Sequence, residues 1–225
     1  MTKIKGFIET SFIDWPGKVC AVIFLPGCNF RCPFCHNHPL LQNQDKLQSF
    51  LLSDILARLN KFKQWLDGIC VSGGEPTLAP DLPDILLKIR SAGFKVKLDT
   101  NGSRPQVLAN LFDQELLDMV AMDVKAPLEQ AKYNQCAGVM VDLDLIRQSI
   151  ALIKNSGIDH EFRMTVLPKF HSRQDIMLWV DNLSSGSSLK LQNFNPDDPL
   201  DPTLHQESGF SPEEFVELTK SIGLC

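Results

Sequence analysis

The sequence lacks any apolar segment long enough to cross a membrane, and it lacks an excess of basic residues. Its longest apolar run covers residues 19–25 and stops at Pro26, whereas a membrane helix needs about 20 apolar residues. The 22 basic and 27 acidic residues leave a net charge of −5, which disfavours a general nucleic-acid binder. No secretory signal is visible at the N-terminus. We therefore expect a cytoplasmic protein that contacts neither membrane nor nucleic acid.

Seven cysteines are present, an odd number that cannot pair completely into disulfides. In a cytosolic chain, clustered cysteines more often indicate metal binding or catalysis. Three of them lie close together in the segment GCNFRCPFC, as Cys28, Cys32 and Cys35. The other four are scattered, and we expect them to be small buried residues. They are Cys20, Cys70, Cys136 and Cys225.

The compact cysteine triple has two metal interpretations. Structural zinc usually takes four protein ligands, commonly as two separated pairs. No second CxxC is present, and His36 directly adjoins Cys35, which makes binding of both to one ion awkward. An iron–sulfur cube accepts thiolates, and an electron carrier normally supplies four of them. Three cysteines would leave the fourth iron open, which predicts a place where a small molecule binds.

Short apolar runs rich in β-branched residues alternate with segments of helical period. The runs lie at residues 18–25, 68–72, 95–100, 118–124, 160–167 and 188–194, and helices are expected at 53–66, 82–91, 143–155, 172–183 and after Ser211. This alternation predicts an α/β fold with a parallel sheet. An open doubly wound sheet and a barrel both satisfy the pattern. Six strands in this length fit an incompletely closed barrel, since eight strands usually need about 250 residues.

No repeat, low-complexity stretch or linker of distinct composition divides the chain. Its 44% hydrophobic and 22% charged residues are typical of a globular protein. We therefore expect one domain over residues 1–225. The barrel would cover about 18–194, after an N-terminal strand and loop at 1–17 and before a C-terminal tail and helix at 195–225.

Polar motifs follow the ends of the predicted strands, which is the edge where parallel α/β folds bind ligands. Each motif alone has an ordinary explanation. Gly73-Gly74 can be a tight turn, 99–102 a capped turn, and Asp123 with Lys125 a surface ion pair. Six units with polar residues on one edge nevertheless predict a ligand site. Its candidates lie at 28–38, 73–76, 99–102, 123–125, 163–165 and 192–193. His160 and His171 are expected to be surface or packing residues.

The motifs resemble those of one family. GCNFRCPFC resembles the CxxxCxxC cluster loop of radical S-adenosylmethionine (SAM) enzymes, and residues 73–76, GGEP, resemble their SAM amino-group motif. The likeness runs from Ile13 to about Phe194. Within the family, residues 14–17, 35–37, 99–102 and 123–125 look most like glycyl-radical-enzyme activating enzymes. The chain length and N-terminus are most similar to anaerobic ribonucleoside-triphosphate reductase activating proteins.

The resemblance implies a partial (β/α)6 TIM-like barrel of parallel strands with outer helices, and one [4Fe–4S] cluster bound by Cys28, Cys32 and Cys35. It also implies which residues bind SAM. The backbone at Phe34 and His36 would contact the adenine, and Gly74 and Glu75 would hold the amino group. The remaining implied cofactor-binding residues are Gly73, Pro76, Asp99, Asn101, Asp123, Val124, Lys125 and Arg163. Gln192 and Asn193 stand where some relatives have a histidine near the adenine.

The implied reaction is reductive cleavage of SAM to methionine and a 5′-deoxyadenosyl radical, which takes hydrogen from a glycine of a partner protein. Flavodoxin or ferredoxin would supply the electron, and no side chain acts as general acid or base. The alternatives are activation of another glycyl radical enzyme such as pyruvate formate-lyase, or modification of a small molecule or peptide. Outside the enzyme class, an iron–sulfur electron carrier or a zinc-stabilised binding module remain as rivals.

Overall fold

The computed structural model describes residues 2–223, and in it the chain forms one seven-stranded sheet. The strands are β1 (Gly6–Ser11), β2 (Cys20–Leu25), β3 (Gly68–Gly73), β4 (Lys95–Thr100), β5 (Met119–Asp123), β6 (Asp159–Val166) and β7 (Ser188–Asn193). They follow each other across the sheet in chain order. β1 is antiparallel to β2, and every later pair is parallel. The six strands expected from the apolar runs are therefore the parallel ones, and β1 lies in the N-terminal extension.

Eight α-helices are found in the described part of the chain. They are α1 (Pro39–Gln42), α2 (Leu52–Leu59), α3 (Leu82–Ser91), α4 (Pro105–Asp113), α5 (Gln130–Ala137), α6 (Leu143–Asn155), α7 (Arg173–Leu183) and α8 (Pro212–Ser221). Short 3-10 segments lie at Asn60–Trp65, Pro76–Leu78 and Pro202–Gln206. None of the helices among residues 2–223 has the length and apolar character of a membrane span.

The two faces of the sheet carry different cores, and this difference separates a barrel from a doubly wound sheet. Alternate strand residues such as Ile23 and Val71 pack with the apolar faces of the helices in one large cluster. The opposite face holds a small cluster with no helix residue, made of Trp15, Cys20, Val22, Cys70 and Met119. A doubly wound sheet has helices on both faces. Helices on one face only mean a curved, open part-barrel, so the predicted α/β fold is confirmed.

Most predicted helices are confirmed, and one is shorter than expected. The segment 53–66 is helical only to Leu59 and continues as a 3-10 turn, in which Phe62 departs from helical backbone angles. It starts one residue earlier than predicted, at Leu52, and Leu51 is its N-cap. The last helix begins as expected, because the Ser211 hydroxyl accepts from the Glu214 N–H while the Glu214 carboxylate accepts from the Ser211 N–H.

Candidate functional site

The cysteine loop follows β2 and is fixed in place by backbone hydrogen bonds to distant segments. The Arg31 N–H donates to the carbonyl of Ala137 at the end of α5, over 2.8 Å. The Leu200 and Asp201 N–H groups donate to the carbonyls of Cys35 and Pro33, over 3.0 and 2.9 Å. The loop therefore does not rely on a bound group alone for its shape.

The three clustered thiols line one cavity at the carboxyl edge of the sheet. Cys32 is buried, and Cys28 and Cys35 are half-buried. Burial raises the pKa of all three thiols, that of Cys32 to about 12, and the charge of Cys35 raises the pKa of Cys28 and Cys32 further. Among residues 2–223, no three His, Cys, Asp or Glu side chains converge as ligands of a single metal ion. A cube of four irons instead takes its thiolates at separate corners, so the donor set fits such a cluster.

The cavity has a volume of about 320 Å³, within the range of about 300–1,000 Å³ usual for small-molecule sites. Most of the predicted cofactor-binding residues line it, although they come from five different strand ends. They are Phe34, His36, Gly73, Gly74, Asp99, Asn101, Asp123, Lys125 and Arg163. Glu75, Pro76 and Val124 are predicted residues that do not line it. Asp14, Phe24, Leu41 and Ser72 line it without having been predicted.

Gly73 and Gly74 are required by close backbone packing. Gly73 has φ of +133°, and a Cβ there would lie 2.2 Å from the carbonyl oxygen of Leu25. A Cβ on Gly74 would lie 1.9 Å from the carbonyl oxygen of Gly27. The bare backbone therefore allows the end of β3 to approach the start of the cysteine loop, one residue before Cys28. Both glycines also line the cavity.

Glu75 lies apart from the cavity, which differs from the expected contact of its carboxylate with an amine. The side chain is 1% exposed. One carboxylate oxygen accepts from the N–H and the hydroxyl of Thr77 and from the hydroxyl of Thr100, and the other accepts from the Asn101 N–H. Burial raises the pKa of Glu75, although these donors oppose the shift. The carboxylate thus joins the ends of β3 and β4.

A chain of alternating charges lies on the inner face of the barrel below the cysteine loop. Arg163 on β6 is central, with Nε 2.9 Å from one oxygen of Asp123 and another guanidinium nitrogen 3.5 Å from Asp99. Lys125 lies 3.1 Å from Asp123, and Lys97 pairs with Asp99. Burial would raise the pKa of both aspartates, but the neighbouring cations hold it below the ordinary value. Four of these charges line the cavity, the two anions together with Lys125 and Arg163. The two cations are the groups placed to meet a carboxylate or an anionic cluster.

Lys97 is the residue of this charge network that was not predicted from the sequence. It is fully buried, and its ammonium also lies 3.7 Å from the Cys70 sulfur. Strand alternation could have found it, because Lys97 and Asp99 lie two residues apart and so share a face.

Asn101 and Asn37 link the strand ends to the cysteine loop. The Asn101 amide donates to the side-chain oxygen of Asn29 over 2.9 Å and lies 3.9 Å from the sulfur of Cys28. The Asn37 amide donates to the carbonyl of Gly73 over 2.9 Å. The two amides therefore hold the loop directly after Cys28 and shortly after Cys35.

Gln192 and Asn193, at the end of β7, stand where some relatives have a histidine, and their side chains have different surroundings. Gln192 lines the cavity. Asn193 instead donates to the carbonyl of Phe210 and accepts from its N–H. His36 lies nearby, stacked on Phe194 with ring centres 6.1 Å apart, and its Nε2 is 2.8 Å from the carbonyl of Asn195. Of the two candidates, Gln192 is therefore the one placed to contact a ligand.

The cysteines outside the loop are buried as predicted. Cys20, Cys70 and Cys136 are each 0% exposed, and Cys225 lies outside the described residues.

No role was predicted for Asp14 and Trp15, which follow β1 in the chain. Trp15 is 2% exposed among the inner-face residues, while Asp14 lines the cavity.

Comparison with known proteins gives a consistent picture. Residues 22–180 match the Radical SAM superfamily. The chain is 34% identical, over 96% of its length and 90% of the relative, to a protein of Methanocaldococcus jannaschii whose name assigns it provisionally as a glycyl-radical enzyme activating enzyme. It is 31% identical to the pyruvate formate-lyase-activating enzyme of Clostridium pasteurianum, over 56% of this chain and 53% of the relative.

A solved structure shares the fold at low sequence identity. SuiB of Streptococcus suis, bound to the precursor peptide SuiA, superposes with a TM-score of 0.67 at 15% identity, over 87% of this chain and 43% of that chain. The present chain thus spans about half or less of two of these three proteins.

Proposed function

This chain belongs to the radical SAM superfamily, and from that premise we propose that it generates a glycyl radical on a partner enzyme. As a member it is an enzyme, and its family implies an iron–sulfur cluster and SAM. The partner we propose is anaerobic ribonucleoside-triphosphate reductase. Pyruvate formate-lyase is the second candidate, because one relative is named as its activating enzyme.

One observation supports the chemistry most strongly. Three clustered thiols, one buried and two half-buried, line the same cavity as a set of paired charges from separate strands. An electron carrier would not need a cavity next to its cluster, and a fully ligated cluster would use a fourth cysteine. A site with three sulfur ligands and an adjoining polar cavity suits a cluster that binds a small molecule.

The residues divide into three proposed roles. Cys28, Cys32 and Cys35 would hold the cluster. Lys125 and Arg163 would attract the SAM carboxylate, and the backbone around Gly74 would bind the amino group. When bound, the cluster and SAM supply the electron and the carbon radical that removes hydrogen from glycine. The protein itself orients these groups and excludes water.

Asp99 and Asp123 would bind the ribose side of SAM, with Asn101 beside the cluster loop. Their carboxylates are already held by cations, so they stay ionised at neutral pH and accept hydroxyl hydrogen bonds. The backbone at Phe34 and His36 would contact the adenine, with Gln192 across the cavity. No side chain here is needed as a general acid or base.

The test offers both partner enzymes to the anaerobically reconstituted chain. Each is incubated with SAM and a flavodoxin or ferredoxin, which we propose as the natural class of electron donor. The proposal predicts a glycyl doublet by electron paramagnetic resonance with the reductase, and none when SAM is omitted. A doublet only with pyruvate formate-lyase would transfer the activity to the second candidate. No doublet with either enzyme, from a chain that cleaves SAM, would contradict glycyl radical formation.

A further inference from the structure

We propose that Ile8, Phe12 and Ile13 form an apolar docking strip for the glycine-bearing polypeptide of the partner enzyme. This inference rests on the proposed function and names the surface that its protein substrate would use. The strip lies along β1 and the turn that follows it, at one edge of the open sheet.

The strip consists of large apolar side chains that are exposed to solvent. Phe12 is 75% exposed and Ile13 is 81% exposed, next to each other in the chain. Ile8 is 42% exposed. Single exposed apolar residues are ordinary, but adjacent large ones beside a cavity mark an interaction site.

The turn that carries the strip is held rigidly. The Ser11 hydroxyl accepts from the N–H groups of Ile13 and Asp14, over 3.2 and 3.3 Å, and donates to the Asp14 carboxylate. Trp15 is buried directly after the turn. Phe12 and Ile13 are therefore presented to solvent by a fixed backbone, which lowers the entropic cost of binding.

The strip borders the reactive cavity. Asp14, which follows Ile13, lines the cavity. Ile8 pairs with Val22 across the antiparallel strands, and Val22 belongs to the inner-face cluster. Paired residues on antiparallel strands point to the same face, so Ile8 also faces the inside of the part-barrel.

The gap between the two edge strands is the entrance that this geometry offers. The strand order runs from β1 to β7, and the exposed Gln192 on β7 lines the cavity as Asp14 does on the β1 side. A glycine that reacts inside the cavity remains part of a polypeptide. In this proposal its flanking residues cross the gap and contact the strip, which adjoins the cavity-lining Asp14.

The occupant that fits is an extended segment with apolar side chains on both sides of the glycine. A free metabolite would lie within the cavity and leave the strip uncovered. A second copy of this chain would cover the strip without needing its continuity with Asp14. The substrate polypeptide is the occupant that uses both features.

The experiment measures the KM for the full-length anaerobic ribonucleoside-triphosphate reductase, with glycyl radical yield as the readout. It compares wild type, F12S/I13S, the conservative F12L/I13L, and L87S as a matched control. Leu87 is 55% exposed on the outer helix α3. All rates are normalised to iron content. Iron-normalised 5′-deoxyadenosine release without partner is recorded for each protein.

We expect the KM of F12S/I13S to rise about tenfold or more, since apolar anchors of this size commonly carry such a share of an interface. F12L/I13L and L87S should stay within about twofold of wild type, because they keep the apolar strip. An unchanged KM for F12S/I13S, in a system where wild type forms the radical, would overturn the docking strip and leave the proposed function standing. A wild type that cleaves SAM but activates no partner overturns the proposed function, and the strip with it.

Discussion

The imidazole of His171 donates from Nε2 to the backbone carbonyl of Lys125 over 3.0 Å. Its other nitrogen, Nδ1, accepts from the Leu167 N–H over 3.2 Å, which fixes the neutral ring in one tautomer. The ring also packs edge-on against Phe34 in the cysteine loop. The indole of Trp179 donates to the adjacent carbonyl of Val124. Two buried donors thus hold the end of β5, where Asp123 and Lys125 enter the charge chain.

His171 should give the protein a measurable acid sensitivity. Burial lowers its pKa below the ordinary 6.5, so the unfolded chain binds this proton more readily than the folded one. The resulting stabilisation is present above pH 6.5 and is lost as the pH falls through the folded-state pKa. His171→Gln keeps a neutral donor and acceptor but cannot titrate.

Thermal unfolding of anaerobic protein at pH 7.5 and 5.5 tests this sensitivity. Wild type should lose up to about 1.4 kcal/mol more than H171Q over this interval, or roughly 3–5 °C in Tm. His205→Gln, at an exposed histidine, is the matched control and should follow wild type. Equal losses for H171Q and wild type would show that the buried ring titrates normally.

Glu75 belongs to the GGEP motif, and we also expect its side chain to stabilise the fold. Its carboxylate accepts four hydrogen bonds from Thr77, Thr100 and Asn101. Glu75→Gln turns one acceptor into a donor that faces these donors, which should cost about 2–3 kcal/mol and lower Tm by roughly 4–10 °C. Glu217→Gln, at an exposed glutamate on α8, should leave Tm within about 1 °C. An equally small effect at both positions would contradict the joining role of Glu75.

Trp15 should support the inner face of the part-barrel. Its ring contacts the cluster of Cys20, Val22, Cys70 and Met119 and is 2% exposed. Trp15→Ala leaves a cavity there and should cost about 3–5 kcal/mol. The control is Trp65→Ala, because Trp65 is 71% exposed. Denaturant unfolding of the two variants should separate them clearly, and similar midpoints would mean that Trp15 does not close the barrel interior.

The sequence predicted the strands and the position of the site because both depend on local patterns. Apolar runs located the six parallel strands to within about two residues, and polar residues at their ends located the cavity. α4 and α5 escaped prediction. In α5 only Tyr133, Cys136 and Ala137 are buried, so no strong apolar stripe marks it.

Other features depend on contacts that local patterns do not contain. The partners of Glu75 at Thr100 and Asn101 lie 25 and 26 residues away in the chain, and only the packing of β3 beside β4 unites them. The helix predicted at 53–66 included Phe62 and Trp65, which lie beyond the end of α2, and both side chains are exposed. Their apolar character therefore reflects no buried helix face.

The central claim is that Cys28, Cys32 and Cys35 hold a cluster that cleaves SAM. The most direct measurement is 5′-deoxyadenosine released by anaerobically reconstituted, dithionite-reduced protein with SAM, together with its iron content. Wild type should bind about four irons per chain and release the nucleoside. Cys20→Ala, at a buried cysteine outside the loop, should do the same, whereas Cys32→Ala should release none. Nucleoside release by the Cys32→Ala variant, or a wild-type protein without an iron–sulfur cluster, would contradict the account.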